Sequence, residues 1–320
     1  MTETQPINPV LSVVICTYNR RDFVDKAISA FDAQMAEDLP VELIVVNNNS
    51  SDDTQDLIEE WADKRGYISA RIETEQGLSA ARNNGWKAAR GRYVGFLDDD
   101  ATADKDWLSA ALEALQNCGE ALIIGGPIYP VFEDSPPWIV GKDHYIRTWS
   151  VADAPLEEKD AKGGFFGGNM IIRRDTLAEF GGFDPNYGMK GDKVWGAEEY
   201  VLFNAIHDTY GNRTWYAPRM AIHHFEGRIK TSVSYILKRG WIASQIHCLK
   251  LEQDGGGWYR FAGGVKSHTV LAFKNMYRWI TGKSGPWPMI SCTLHALCLF
   301  YCLIFYVIWG RSISDSHNFN

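Results

Sequence analysis

Residues 92–100, Arg-Tyr-Val-Gly-Phe-Leu-Asp-Asp-Asp, place three consecutive carboxylates at the end of a short apolar run. Adjacent carboxylates repel one another, so a folded chain keeps them where solvent or a cation relieves the charge. Hard divalent ions take oxygen ligands, and Mg²⁺ or Mn²⁺ usually shares its shell between one or two carboxylates and substrate phosphates. Asp98, Asp99 and Asp100 are therefore candidates for cation-assisted phosphate chemistry, with a solvated acidic turn as the competing reading of the triplet alone. A second acidic pair, Glu198-Glu199, opens a helical pattern that carries Val201, Leu202, Ala205 and Ile206 and has Gly211 past its end. Carboxylates there either complement the helix dipole or serve as a general base. A third group is the pair His223-His224. In an extended segment neighbouring side chains point to opposite faces, so only one of the two can face a metal.

The elements that must position these groups repeat a pattern. Leu11 to Cys16 is an apolar, β-branched run ending in Thr17-Tyr18-Asn19-Arg20, and a helical face of Phe23, Ala27, Ile28 and Phe31 follows, with Asp22 available as a cap. Val41 to Val46 repeats the run and ends in an Asn/Ser/Asp-rich loop. A helix with Leu57, Ile58 and Trp61 comes next, for which Asp52 and Gln55 stand at capping-box spacing. A helix from Gly77 to Gly91 then leads into the strand that ends at Asp98. Repeated strand–loop–helix units imply right-handed crossovers and a doubly wound, mostly parallel sheet. In such sheets ligands bind beyond the carboxyl ends of the strands.

Seven segments, in order, resemble the family 2 glycosyltransferases of bacterial exopolysaccharide and cell-envelope type, which have the nucleotide-sugar-binding GT-A fold. They are Val13 to Arg20, Asn48 to Thr54, Gly77 with Ala81 to Gly85, Asp98 to Asp100, Gly167 to Met170, Gly181 to Asp184, and Glu198-Glu199. The resemblance covers roughly residues 10–226. It implies a Rossmann-like GT-A domain over 1–226, with a nucleotide-sugar half at about 10–125 and an acceptor half at about 126–226. It implies that Asp98 and Asp100 form an Asp-x-Asp motif on a divalent ion, Asp100 as the direct ligand and Asp98 nearer the ribose. His224 would complete the cation site, with His223 as the alternative. Thr17, Asn19, Arg20, Asn47, Asn49, Asp99 and Asn169 would lie on the donor. Arg82 would pair with phosphate or with the motif carboxylates, unless it is a surface arginine. Glu199 would be the general base of an inverting transfer, and Glu198 would orient the acceptor.

One departure concerns the base. The family usually has an Asp where this chain has Asn47, and Asn offers both a donor and an acceptor, so the nucleotide stays open among UDP, the family's common choice, GDP and dTDP. Glycines at 163–168 would let the backbone approach a sugar closely. Asn169 is read either as a sugar contact or as a plain turn residue. No lysine–hydroxyl ending follows these glycines, and residues 17–22 contain no glycine, which speaks against a P-loop and against a nucleotidyltransferase.

The net charge is −8, but residues 226–320 hold 11 Lys/Arg and 4 Asp/Glu. An acidic catalytic half argues against nucleic acid as partner, and a basic tail suits anionic lipid. Met289 to Trp309 is 21 residues without Asp, Glu, Lys or Arg, near the roughly 20 needed to cross a bilayer. It would span, lie in the interface, or pack against the catalytic domain. The region 227–320 is thus read as a basic, helical membrane-associated tail, and the protein as sitting on the cytoplasmic face of the cell membrane. Six cysteines without zinc or Cys-x-x-Cys spacing fit a reducing compartment. The expected activity is sugar transfer, assisted by Mn²⁺ or Mg²⁺, from a nucleotide-sugar donor to a hydroxyl of a lipid-linked glycan or similar acceptor. The alternative is a non-catalytic sugar-nucleotide or glycan binder that keeps the fold.

Overall fold

The computed structural model describes residues 9–36, 39–134, 154–155, 165, 167–190, 196, 198–230, 232 and 235. The chain divides into two compact units, Met1–Val131 with Asp143–Phe225, and Phe132–Lys142 with Glu226–Asn320. The hydrophobic segment 289–309 and most of the tail 227–320 lie outside the described residues, as do residues 135–153. Among those described, no helix is long and apolar enough to cross a membrane.

The strands are β1 (Leu11–Thr17), β2 (Val41–Asn47), β3 (Ile68–Ile72), β4 (Tyr93–Asp98), β5 (Ala101–Ala103), β6 (Ile123–Gly125), β7 (Ile128–Phe132), β8 (Ala154–Pro155), β9 (Asn169–Arg173), β10 (Thr214–Tyr216) and β11 (Ile222–Glu226). The helices are α1 (Arg21–Asp32), α2 (Thr54–Lys64), α3 (Leu78–Ala88), α4 (Trp107–Asn117), α5 (Arg174–Glu179) and α6 (Glu198–Tyr210). The main sheet has eight strands in the order β3-β2-β1-β4-β9-β6-β10-β8. β1 is buried along nearly its whole length because both faces are covered. Val13 and Ile15 pack with Phe31, Leu43 and Trp107 on one side, while Val14 packs with Ile44, Phe96 and Phe183 on the other. Burying each such side chain contributes roughly 1.5–3 kcal/mol.

Register decides where the chemistry sits. β1 runs parallel to β2 with Thr17 opposite Asn47, and parallel to β4 with Cys16 opposite Asp98. The loops after these three strands therefore leave the sheet at one edge. The four parallel strands match the expected winding, but β9 runs antiparallel to both β4 and β6. It must, because its first residue, Asn169, lies opposite Leu97 at the edge where β4 has just ended. A second, three-stranded sheet in the order β5-β11-β7 was not foreseen. Its strands are too short to show a period in the sequence.

Two expected caps also differ. Asp22 lies inside the first turn of α1, whose N-cap is Arg20 and carries no side-chain cap. The capping box of α2 does not form. Asp52 accepts instead from the Thr54 amide (3.1 Å) and hydroxyl (2.5 Å), and Gln55 turns back to accept from Asn47 Nδ2 (2.9 Å).

Candidate active site

The three aspartates take three different roles. Asp99 is buried; Thr17 Oγ1 donates to it at 2.8 Å and Arg20 Nη1 at 2.9 Å. Burial, aided by the Asp100 charge, pushes its carboxyl up to about 6, against the pull of Arg20. Arg20 Nη1 also reaches Asp100 Oδ2 at 3.1 Å, so one guanidinium binds two of the three carboxylates. Asp98 accepts instead from Arg82 Nη2 at 3.3 Å.

His224 arrives from the small sheet. β5 follows Asp100 directly, and β11 lies antiparallel to it with His224 opposite Ala101. That pairing brings His224 Nε2 to 3.0 Å from Asp100 Oδ1 and 3.7 Å from Asp98 Oδ2. His223 points to the opposite face, 3.3 Å from Asp104 and against the Tyr129 ring. The choice between the two histidines thus falls on His224. Ligand atoms of Asp98, Asp100 and His224 all lie within 4.8 Å of one another, a hard oxygen pair plus one imidazole, which suits Mn²⁺ or Mg²⁺.

Arg82 is no surface residue. It is 3% exposed, its Nη1 donates to Glu198 Oε1 at 2.7 Å, and its guanidinium lies 5.5 Å from the Phe183 ring centroid. Burial works against its charge, but Glu198 and Asp98 outweigh burial and hold it protonated. Glu198 is buried, and Glu199 is half-buried, at the start of α6. Neither Glu198 Oε2 nor Glu199 Oε2, both shielded from water, has a hydrogen-bond partner among the described residues. Burial first, then the Glu198 charge, pushes the Glu199 carboxyl up to about 8, while Arg82 pulls it down.

Several residues expected on the donor are engaged within the protein. Asn169 is fully buried: its Nδ2 donates to Pro127 O (3.0 Å) and Met220 O (2.7 Å), and its Oδ1 accepts from Trp107 Nε1 (2.9 Å). Both ends of the amide are held in the core, where the resemblance implied a sugar contact. Asn47, expected to read the base, is also buried, with Nδ2 on Gln55 and Oδ1 accepting from Ser50 N at 2.9 Å. It closes its own loop. Asn19, in the left-handed region at φ 51°, accepts from Ser51 N at 2.7 Å and joins the loops after β1 and β2. Asn49 is exposed at φ 61°, a conformation asparagine tolerates better than most residues. Of the glycines at 163–168, Gly167 and Gly168 lie close to protein groups, while Gly163 and Gly164 lie outside the described residues. A Cβ at Gly168 would stand 2.3 Å from Asp98 Oδ2, and one at Gly167 2.7 Å from Arg82 Nη2.

Three residues that hold the site were given no role by the sequence. Asn48 donates to Glu73 O and Glu75 O and accepts from Gly77 N, fixing the loop that enters α3. Asn83 both donates to Phe183 O (2.7 Å) and accepts from Phe183 N (2.9 Å), clamping the 181–184 turn. Trp107 orients Asn169. A polar side chain among apolar neighbours was the available signal, but its partners lie 25 to 100 residues away.

Residues 12–181 match the model of Glycosyl transferase family 2. The chain belongs to that family. It is 27% identical over 233 residues to the glucosyl-dolichyl phosphate glucuronosyltransferase of Haloferax volcanii, covering 72% of this chain and 74% of that protein. The succinoglycan biosynthesis protein ExoM of Rhizobium meliloti is 24% identical over 268 residues, 80% of this chain and 81% of its own. The mannosyltransferase PcManGT of Pyrobaculum calidifontis, solved with GDP-Man and Mn²⁺, superposes with TM-score 0.61 at 16% identity, covering 95% of this chain and 88% of that one. S. aureus TarS 1–349 with UDP-GlcNAc gives TM-score 0.54 at 16% identity, covering 72% and 65%. The solved structures establish the shared α/β GT-A-like fold. The protein is a family 2 glycosyltransferase.

Proposed function

We propose that this glycosyltransferase moves a sugar, with inversion, from a nucleotide-sugar donor, a UDP-sugar, to a hydroxyl of a lipid-linked glycan or other cell-envelope polysaccharide. One observation carries the reading. A cation-type ligand set, Asp98, Asp100 and His224, joins through Arg82 to a helix-start carboxylate pair whose Oε2 atoms have no hydrogen-bond partner among the described residues. The lipid-linked acceptor is supported by the Haloferax relative's name. A Campylobacter jejuni relative, 38% identical over 122 residues (37% of this chain and 38% of that protein), is named as a β-1,3-glucosyltransferase of a diphospho-undecaprenol-linked glycan. The basic tail with its uncharged stretch 289–309 supports work at the cytoplasmic face of a membrane.

A bound divalent ion would supply Lewis-acid stabilisation of the leaving diphosphate. Everything else falls to the chain. Thr17 and Arg20 hold Asp99 and Asp100 in place, and His224 caps the pair Asp98/Asp100. Glu199, once ionised, accepts the proton of the acceptor hydroxyl as that oxygen bonds to the anomeric carbon. The bond from that carbon to phosphate breaks, and its electron pair leaves with the nucleoside diphosphate.

The test is transfer from UDP-, GDP- and dTDP-sugars to lipid-linked acceptors in the presence of Mn²⁺, with Glu199→Gln and Asp98→Ala/Asp100→Ala beside the parent. Loss of transfer by Glu199→Gln with donor binding retained is expected, at about 10²-fold or more. Equal transfer by Glu199→Gln would remove the residue from this role. Undiminished donor affinity in the double alanine variant would overturn the donor site.

A further inference from the structure

Arg82 touches both sides of this site. Its Nη2 lies 3.3 Å from Asp98 and its Nη1 2.7 Å from Glu198, so one guanidinium is divided between a donor-side and an acceptor-side carboxylate. It cannot swing away. The Gly167 backbone closes over it so tightly that a Cβ there would meet Nη2 at 2.7 Å, and the Phe183 ring lies alongside. We propose that Arg82 is a positioning residue that couples the two sides. When Asp98 is engaged by a divalent cation, the Arg82 charge is left to Glu198 and Glu199, and Glu199 releases its proton to solvent and becomes a base. The base is thereby ready only when the donor side is loaded. This rests on the reading of Glu199 given above.

The groups facing Glu199 define the balance. Glu198 on the same helix opposes its ionisation, and Arg82 on α3 favours it. Behind Arg82 stand Asp98 on β4 and Cys16 on β1, whose thiol burial pushes up to about 12 and keeps neutral. With burial and Glu198 holding the Glu199 carboxyl at about 8, much of it is protonated at neutral pH until Arg82 is freed from Asp98. Coupling between two sites is reciprocal, so ionisation of Glu199 must in turn tighten cation binding at Asp98.

That reciprocity gives a measurement needing no sugar transfer. Calorimetry on the full chain would follow Mn²⁺ affinity from about pH 6.5 to about pH 8.5. The parent is expected to tighten about 5-fold more over this interval than Glu199→Gln, a coupling at the low end of the usual range. Arg82→Lys keeps the buried charge without the two-pronged fork, and should cut the difference to under about 2-fold. Should that variant not fold, Glu198→Gln removes the charge opposing Glu199 and should move the extra tightening to lower pH. Parallel tightening in parent and Glu199→Gln, or an unmoved profile in Glu198→Gln, would overturn the coupling. If the profiles run parallel while Glu199→Gln is inactive in transfer, the coupling fails and the base survives. Full transfer activity in Glu199→Gln would sink the base reading itself.

Discussion

Replacing Asn169 by leucine separates a core residue from a sugar contact. Leucine keeps the branched outline of the side chain but removes three hydrogen bonds, two donated to Pro127 O and Met220 O and one accepted from Trp107 Nε1. Pro127 O keeps a second donor, the Ile222 amide at 3.1 Å, so it is not left bare. Trp107 and Met220 are both fully buried, and their N–H and C=O groups lose these partners in a region water does not reach. Each such orphan costs roughly 1–3 kcal/mol, which gives a loss of about 3 kcal/mol after allowance for the added apolar contact. Urea unfolding followed by tryptophan fluorescence reads this as a lowered midpoint with an unchanged slope. Asn169→Asp should be worse than leucine, because a carboxylate still accepts from Trp107 but faces two carbonyl oxygens to which it cannot donate. An unfolding curve like the parent's, combined with a weakened nucleotide-sugar affinity, would refute the reasoning and return Asn169 to the ligand.

Gly168→Ala drives a methyl into Asp98, and is expected to weaken Mn²⁺ binding by about 10-fold, read by calorimetry, while the fold persists. Arg82→Met strips the buried Glu198 of its partner and should cost about 3–5 kcal/mol in urea unfolding, partly restored by adding Glu198→Met. The raised carboxyls give stability a definite slope with pH. Asp99 (about 6) and Glu199 (about 8) both hold a proton in the folded state that the unfolded chain has already released, so their contribution falls as pH rises from about 4 to about 8. Glu199→Gln removes its share, and its stability relative to the parent should rise across about pH 4.5–8, by no more than about 1.4 kcal/mol per unit; a flat difference would contradict the burial of this carboxyl.

The parts of this molecule that could be read beforehand are those in which neighbours in sequence cooperate. β1, β2 and β4 announce themselves as apolar β-branched runs, and the carboxylates and the helix-start glutamates follow directly from the strand and helix they terminate. Alternation in an extended segment allowed only one of His223 and His224 to face the aspartates, and β11 brings His224 to them. What the sequence hid depends on partners far along the chain. Asn169 and Asn47 look like binding residues because an exposed and a buried asparagine are written alike; only the carbonyls of Pro127 and Met220, or the side chain of Gln55, decide the matter. Gly167 and Gly168 were read as letting the backbone approach a sugar; in the structure the groups close to them are the protein's own Arg82 and Asp98. The antiparallel course of β9 follows from where the chain re-enters the sheet, which no local period encodes.

The charge balance of the site bears on why a cation is expected there. Asp98, Asp99, Asp100, Glu198 and Glu199 are held against two guanidiniums, Arg20 and Arg82. Even with Glu199 and part of Asp99 protonated near neutrality, the carboxylates are not outnumbered, and both arginines are already committed to them. A diphosphate approaching such a surface would meet repulsion at short range, where charges interact by several kcal/mol. On the proposed reading, nucleotide-sugar affinity should therefore depend steeply on divalent cation, and the cation's own affinity should rise when the donor is present. Isothermal titration of UDP-sugar with and without Mn²⁺ reads this directly. Equal donor affinity in the two conditions would mean that the acidic cluster does not face the diphosphate at all.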